Sequence, residues 1–449
     1  MPDSQRIRAL LIAEAANPEW VSVPLVGWSH AQALARRVDA HLVTQIRNRD
    51  AIVRAGLVEG RDFTAIDSEK VGGPLYRMAR SLRGGKGKGW TTVMAFNAMA
   101  YYYFEHLVWQ RFRDDLKAKR FDLVHRLTPL SPTVPSTLAR RCRRAGVPFV
   151  LGPLNGGLPW PRAFDRARRR EREWLSYVRS AYKLMPGYHA TRKNAASILA
   201  ASIATYEQIS PRYHDKCFYV PENAIDPERF SHSRNREASR PLRAAFVGRL
   251  VPYKSADMLL EAAAPLLRAG DLTIEILGDG PELPALRALV DREGIAETVR
   301  LRGWVAHAEI SAALAECDLF TFPSIREFGG GVVLEAMAVG LVPVIVDYGG
   351  PGELVTEQTG VKVPLGTRAE IIQRLRAALA ELAADPARVD TLSRNAIRRI
   401  HRLFTWDAKA AQTVDIYQWV LGRKPKPNIP MPLPDPVDER PSPSLSRLA

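Results

Sequence analysis

"SIREFGGGVVLEAMAVG", residues 324–340, is the stretch on which the reading of this chain turns. It continues the apolar run "LFTFPS" (319–324), turns through three consecutive glycines, and resumes as an apolar pattern with helical spacing. A helix beginning at such a turn presents unpaired backbone N–H groups and the positive end of its dipole, which favours an anion. Gly329, Gly330 and Gly331 carry no β-carbon, so a phosphate can approach the backbone there. Glu335, about one turn into the helix, offers two acceptor oxygens to neighbouring hydroxyls such as those of a ribose, and Glu327 in the turn faces the other end of the same ligand. The plainer alternative is a tight turn followed by an acid that any first helical turn favours.

Two further loops fit the first reading. "VGRLVPYKSA" sets Gly248, Arg249 and Lys254 just past the apolar run "RAAFVGR" (243–249), at the carboxyl end of a strand, where open α/β sheets bind ligands. Two cations there neutralise a departing diphosphate. "LGDGPE" (277–282) ends the next strand with Gly278, Asp279 and Gly280 in a turn suited to the wall of a nucleotide cleft.

The same alternation of short β-branched runs and longer helical patterns extends along most of the chain, which marks an α/β class with parallel sheets covered by helices. Strands are expected at 8–15, 41–46, 121–127, 148–153, 197–202 and 217–223, and again at 243–249, 272–278, 299–304, 319–324, 342–348 and 360–365. Helical stretches start at 255, 282, 308, 332 and 368. The aromatic segment 91–116 reads as a helix packed into the core. Between the halves, "SHSRNREASRP" (231–241) is polar and aperiodic and reads as a linker. Two domains follow, 1–230 and 231–405, then a helix at 406–422 and a proline-rich tail at 423–449 expected to be disordered.

Composition agrees with a folded protein: of 449 residues, 46% are apolar and 25% charged. The formal charge of +16 points to acidic partners. Basic residues crowd 140–146 and 162–173, without the aromatic interleaving of a single-strand nucleic-acid binder, and read as either a solvated helix face or a membrane-facing patch. Cys142, Cys217 and Cys317 are too scattered for a metal cluster or a disulfide framework, so a reducing cytosol is expected. The opening "MPDSQRIRALLIAEAA" is too short in apolar run for a secretory signal, and no stretch reaches the roughly 20 apolar residues of a membrane span. "RGGKGKGW" (83–90) lacks the order of a phosphate-binding P-loop and reads as a mobile basic loop near the acceptor.

The succession "GRLVPYK", "ILGDGPE", "VRLRGWV", "CDLFTFPS", Glu327 to Glu335 as E-x7-E, "LEAMAVGLVPVI" and "FTWDAKAAQTVDIYQWV" resembles, over residues 243–420, the C-terminal half of retaining glycosyltransferases of family 4. "VPENAIDPERF" (220–230) resembles the family's approach to its second domain, with Ala224 where glycine is usual. The resemblance implies the GT-B fold, two facing Rossmann-like domains with a C-terminal helix crossing back to the first. It implies that Arg249 and Lys254 bind the donor diphosphate, that Glu335 holds the ribose, and that Glu327 lies beside the donor sugar. "FDLVHRLTPLSP" resembles the family's histidine-bearing segment, making His125 the candidate to face the transferred sugar. "GPLNGG" (152–157) resembles a segment of some members and fits a cleft wall. The chain departs from the family in lacking a clear glycine pair after its first strand and in having Ser255 where glycine follows the lysine.

The expected activity is transfer of a hexose-type unit from a nucleoside diphosphate sugar to an acceptor hydroxyl with retention of configuration. Positive side chains and backbone donors stabilise the charge on the leaving group, so neither a metal nor another cofactor is needed, and no D-x-D triplet is present to carry one. A lipid-linked acceptor and contact with the inner membrane face suit the basic first half; no nucleic-acid partner is expected. The alternatives are a sugar-nucleotide epimerase on the same fold and a non-catalytic basic protein that binds nucleic acid.

Overall fold

A computed structural model describes residues 6–69, 90–165, 181–230, 234 and 237–436. The basic loop at 83–89, most of the arginine run at 162–173 and the last residues, 437–449, lie outside the described residues.

Two parallel sheets organise the chain. The first contains β1 (Arg8–Ala13), β2 (Asp39–Gln45), β3 (Phe63–Ile66), β4 (Leu123–Thr128), β5 (Phe149–Leu154), β6 (Ser197–Ala200) and β7 (Cys217–Tyr219), in the order β3-β2-β1-β4-β5-β6-β7. The second contains β8 (Leu242–Val247), β9 (Leu272–Leu277), β10 (Val299–Gly303), β11 (Leu319–Phe322), β12 (Val342–Asp347) and β13 (Val361–Pro364), in the order β10-β9-β8-β11-β12-β13. All pairings are parallel. The central strands β4, β5 and β11 are buried at every residue; β5 and β11 accordingly run almost wholly apolar instead of alternating, while β4 also buries His125, Arg126 and Thr128. β3, four residues at the sheet edge, is the strand the sequence reading omits.

Helices cover both faces. α1 (Val23–Ala35) and α2 (Trp90–Lys117) belong to the first sheet, and along α2 the side chains of Tyr101, Phe104, Val108, Phe112 and Leu116 recur every three or four residues and are buried against Leu10, Val124 and Phe149. That is the core packing expected for the aromatic segment. In the second half lie α3 (Ala256–Ala269), α4 (Gly331–Val339), α5 (Gly350–Leu354), α6 (Arg368–Ala384) and α7 (Pro386–Leu403). α8 (Trp406–Val420) returns to the first sheet, where Ala410, Ile416 and Tyr417 join its core and the helix packs along α1.

The passage from β7 to the second sheet and the passage into α8 are tied together. Ile225 N–H donates to Phe404 O at 2.7 Å, and Trp406 N–H donates to Ile225 O at 3.2 Å. The polar linker is anchored as well: the Arg234 guanidinium, 5% exposed, pairs with Asp318 at 3.0 Å and with Asp390. One expectation is corrected. Residues 423–436 form no helix or strand, as their prolines dictate, yet they lie against the body of the protein instead of being disordered. Leu433 is buried, and the buried Arg399 donates to Leu433 O at 2.7 Å, to Pro434 O at 2.9 Å and to the Asp435 carboxylate at 2.9 Å. A buried guanidinium needs several acceptors, and a stretch of chain free of secondary structure supplies carbonyls.

Candidate functional site

In each sheet the strand order reverses once, between β1 and β4 and between β8 and β11, and the crevice beyond the strand ends at such a reversal is where doubly wound sheets bind ligands. The loops that leave β8 and β11 carry the residues singled out by the sequence. They meet through backbone and side chain: Ile325 N–H donates to Tyr253 O at 2.9 Å, Ser324 Oγ to the same carbonyl at 3.2 Å, and Lys254 Nζ forms an ion pair with Glu327. The lysine also lies 4.6 Å from the centre of the Phe322 ring. Ser255, next in the chain, sits in the left-handed region at φ 58° to let α3 begin.

Gly248, Gly278 and Gly280 serve loop packing. A β-carbon on Gly278 would lie 1.9 Å from Gly248 O, and one on Gly280 would lie 2.3 Å from Leu250 O, so the two loops approach backbone to backbone. Asp279 is exposed and its carboxylate accepts from Gly280 N–H at 2.7 Å. Arg249 is exposed on the same loop, and Glu335 is half-buried one turn inside α4.

Gly330 supplies the left-handed residue, φ 61°, from which α4 starts. Gly329 and Gly331 border Asn223: a β-carbon on Gly329 would lie 2.3 Å from Asn223 Nδ2 and 3.2 Å from Glu222 Oε2. The room left by the absent side chain is therefore occupied by two residues of the segment joining the lobes, a refinement of the reading in which it only admits a phosphate.

From the first lobe, the loop after β5 reaches across. Tyr348 Oη donates to Pro159 O at 2.7 Å, and Arg326 Nε donates to Leu158 O at 3.4 Å. The Arg326 guanidinium lies 4.9 Å from the ring centres of both Trp160 and Phe328. In the same loop Asn155 donates to the Glu222 carboxylate and accepts from Ser202 Oγ at 3.0 Å, while Lys409 of α8 donates to Glu222 O. Burial pushes the Glu222 carboxyl up; Asn155 and Lys409 oppose that and Glu327 adds to it. Burial pushes Lys409 down to about 7 against the pull of Glu222. Through Asn155 the "GPLNGG" segment is thus tied to Glu222, beside the glycine turn that opens α4. Asn155, Glu222 and Asn223 have no role assigned from sequence alone; their signal there is polar residues set within apolar runs at strand ends.

His125 is a correction. It is fully buried in β4, where Tyr417 Oη lies 2.5 Å from Nδ1 and Gly152 O lies 2.6 Å from Nε2. The carbonyl can only accept, so Nε2 carries the proton and Nδ1 accepts from the tyrosine. Burial pushes the imidazole pKa down to about 3, leaving it neutral. Every position of β4 is covered, so the ring faces α8 and the β5 backbone instead of a transferred sugar. Among the described residues, no cluster of His, Cys, Asp and Glu has the make-up of a metal site, and no helix is long and apolar enough to cross a membrane.

Two doubly wound sheets opposed across such a crevice, with a C-terminal helix returned to the first, define the GT-B class. Over the whole fold the chain resembles the crystal structure of Anabaena HepE in complex with UDP, with a TM-score of 0.58 at 16% identity, covering 92% of this chain and 100% of that one. The family described as glycosyl transferases group 1 matches residues 241–381. A GDP-mannose-dependent α-(1-6)-phosphatidylinositol monomannoside mannosyltransferase of Mycobacterium tuberculosis is 30% identical over 293 residues, 62% of this chain and 71% of that protein. The chain belongs to the group 1 glycosyltransferases. An α-D-kanosaminyltransferase of Streptomyces kanamyceticus is 28% identical over 243 residues, 51% of this chain. The chain spans 62% of that protein's length and between 43% and 57% of several other curated relatives.

Proposed function

We infer that this protein transfers a sugar from a nucleoside diphosphate sugar to an acceptor hydroxyl, with retention of configuration and without a metal ion. The observation that carries the reading is the Lys254–Glu327 pair beside the glycine turn that opens α4, at the strand-order reversal of the second sheet. Residues 231–405 then hold the donor, residues 1–230 the acceptor, and 406–422 join the lobes. As the bond to the sugar breaks, negative charge grows on the bridging phosphate oxygen. Arg249, Lys254 and the amides at the α4 N-terminus meet that charge. Glu335 takes the ribose hydroxyls and Glu327 a hydroxyl of the sugar. The acceptor attacks on the face the diphosphate leaves, and its proton passes to the departing oxygen.

The names of similar proteins include both GDP-mannose and UDP as nucleotides, and one includes a phosphatidylinositol-linked acceptor. These, with a net charge of +16, favour a lipid-linked acceptor met at the inner face of a membrane. Thermal melting with UDP- and GDP-sugars tests the donor site, since a ligand of the folded state raises the melting temperature. Lys254→Ala and Glu335→Ala should each remove most of that rise, and turnover should persist in EDTA. No shift with any nucleotide would overturn the reading.

A further inference from the structure

The second lobe's contribution to the crevice follows the order of its motifs, but the side chains that face it come from elsewhere in the chain. Glu222 and Asn223 lie between β7 and β8, and Asn155 lies just past β5. The Glu222 carboxylate stands beside Gly329, which lies in the same turn as Glu327: a β-carbon on Gly329 would lie 3.2 Å from Glu222 Oε2. Asn155 donates to it and is itself held by Ser202 Oγ, which accepts from Thr205 N–H at 3.2 Å. Asn155 N–H donates to Leu130 O at 2.8 Å, so the amide is fixed at backbone and side chain. Lys409 fixes the Glu222 backbone from α8.

Two carboxylates brought near each other from different segments repel unless something lies between them that donates to both. The Lys254 ammonium serves Glu327. A carboxylate has about four lone-pair positions, and the Asn155 bond uses one at Glu222. Adjacent hydroxyls of a hexose are donors of the right kind for two such groups, and a half-buried carboxylate that receives a hydroxyl discriminates against a sugar that lacks it.

We propose that Glu222, positioned by Asn155, is a sugar-recognition residue that binds hydroxyls of the transferred hexose opposite Glu327 and sets which sugar is accepted. This rests on the reading of the crevice as a sugar-nucleotide site. Glu327 on one side and Glu222 on the other then hold the ring, while the nucleotide is held wholly by the second lobe. Asn155 acts through Glu222 and is a positioning residue.

The test compares affinities of the full chain for UDP, GDP, UDP-glucose, UDP-galactose and GDP-mannose by calorimetry, for the wild type, Glu222→Gln, Glu222→Ala and Asn155→Ala. Unliganded melting temperatures show that each variant is folded, and Glu222→Gln, which keeps the shape and an acceptor oxygen, is the variant on which the outcome rests if Glu222→Ala unfolds. The expected result is a loss of about tenfold for the sugar nucleotide the wild type binds, with the free diphosphate changed by less than about twofold. The preference between UDP-glucose and UDP-galactose, or for GDP-mannose, should narrow in the same variants. Equal losses for diphosphate and sugar nucleotide, or no loss for either, overturn the proposal and leave the donor site standing. Wild-type protein that binds the diphosphates but none of the sugar nucleotides also overturns it. Wild-type protein that binds none of the five overturns the donor site as well.

Discussion

His125 shows how a strand interior disposes of a titratable side chain: with Tyr417 and Gly152 O on its two nitrogens, it is a structural hydrogen-bonding unit. His125→Ala removes a buried ring and strands both partners, for an expected loss of about 3 kcal/mol in a urea titration. Donor affinity should stay within about twofold for a role confined to the fold; a large loss of donor affinity with an unchanged urea midpoint would return His125 to the site. Ser255 sits at φ 58°, which costs an L-residue about 1 kcal/mol. Ser255→Gly should therefore raise stability by up to that amount, read as a higher melting temperature. Gly278→Ala acts in the opposite sense, because its β-carbon would lie 1.9 Å from a backbone oxygen that cannot swing aside. A loss of about 2 kcal/mol or more is expected, and a neutral result would show that the two loops separate freely.

At the level of elements, the segment after α8 acts as a strap. Lys424 pairs with Asp415 at 3.0 Å, Lys426 lies 5.4 Å from the Phe218 ring centre, and Ile429 touches the cores of both lobes. Leu433 and Asp435 then lock onto Arg399, and Thr356 Oγ1 donates to the same carboxylate at 3.1 Å. Ending the chain after Pro427 takes three acceptors from a buried guanidinium, so stability should fall by about 3 kcal/mol, measured as a shift in the urea midpoint. A truncation with an unchanged midpoint would show that water satisfies Arg399 equally well. The glycine turn before α4 has a similar logic, since its shape is set both by Gly330 inside the turn and by Asn223 pressed on it from another segment.

Across the whole molecule, Glu353 joins the lobes. Ile203 N–H and Tyr219 Oη, both of the first lobe, donate to its carboxylate at 2.9 and 3.0 Å, yet burial outweighs these bonds and pushes its pKa up to about 7. Between about pH 4.5 and 7 the folded chain thus holds a proton that the unfolded chain has released, so stability falls as pH rises through that window. The contribution is about 3 kcal/mol at most. Glu353→Gln should flatten the fall, and a parallel pH profile in the variant would assign it elsewhere. Lys409 carries the opposite sign: its folded pKa is depressed to about 7, so its contribution to stability grows from there towards 10.5. Lys409→Met should remove that alkaline rise in melting temperature.

The linear order of residues was enough for the class and most of the elements. Runs such as "LFTF" and "VPVIV" are almost wholly apolar because central parallel strands are covered on both faces, and that composition is visible without coordinates. Lys254, Glu327 and the three glycines were legible for a related reason, since loops that leave neighbouring strands at a sheet's reversal must meet. The strand β3 was not, because four residues at an edge carry little pattern. What only the tertiary structure decided was which polar side chains share an environment. Asn155, Glu222 and Lys409 are far apart in sequence and meet through the packing of the loop after β5, the segment joining the lobes, and α8. His125 and Leu433 were misread for the same reason: burial comes from what folds over a residue, and its immediate neighbours in the chain do not specify that.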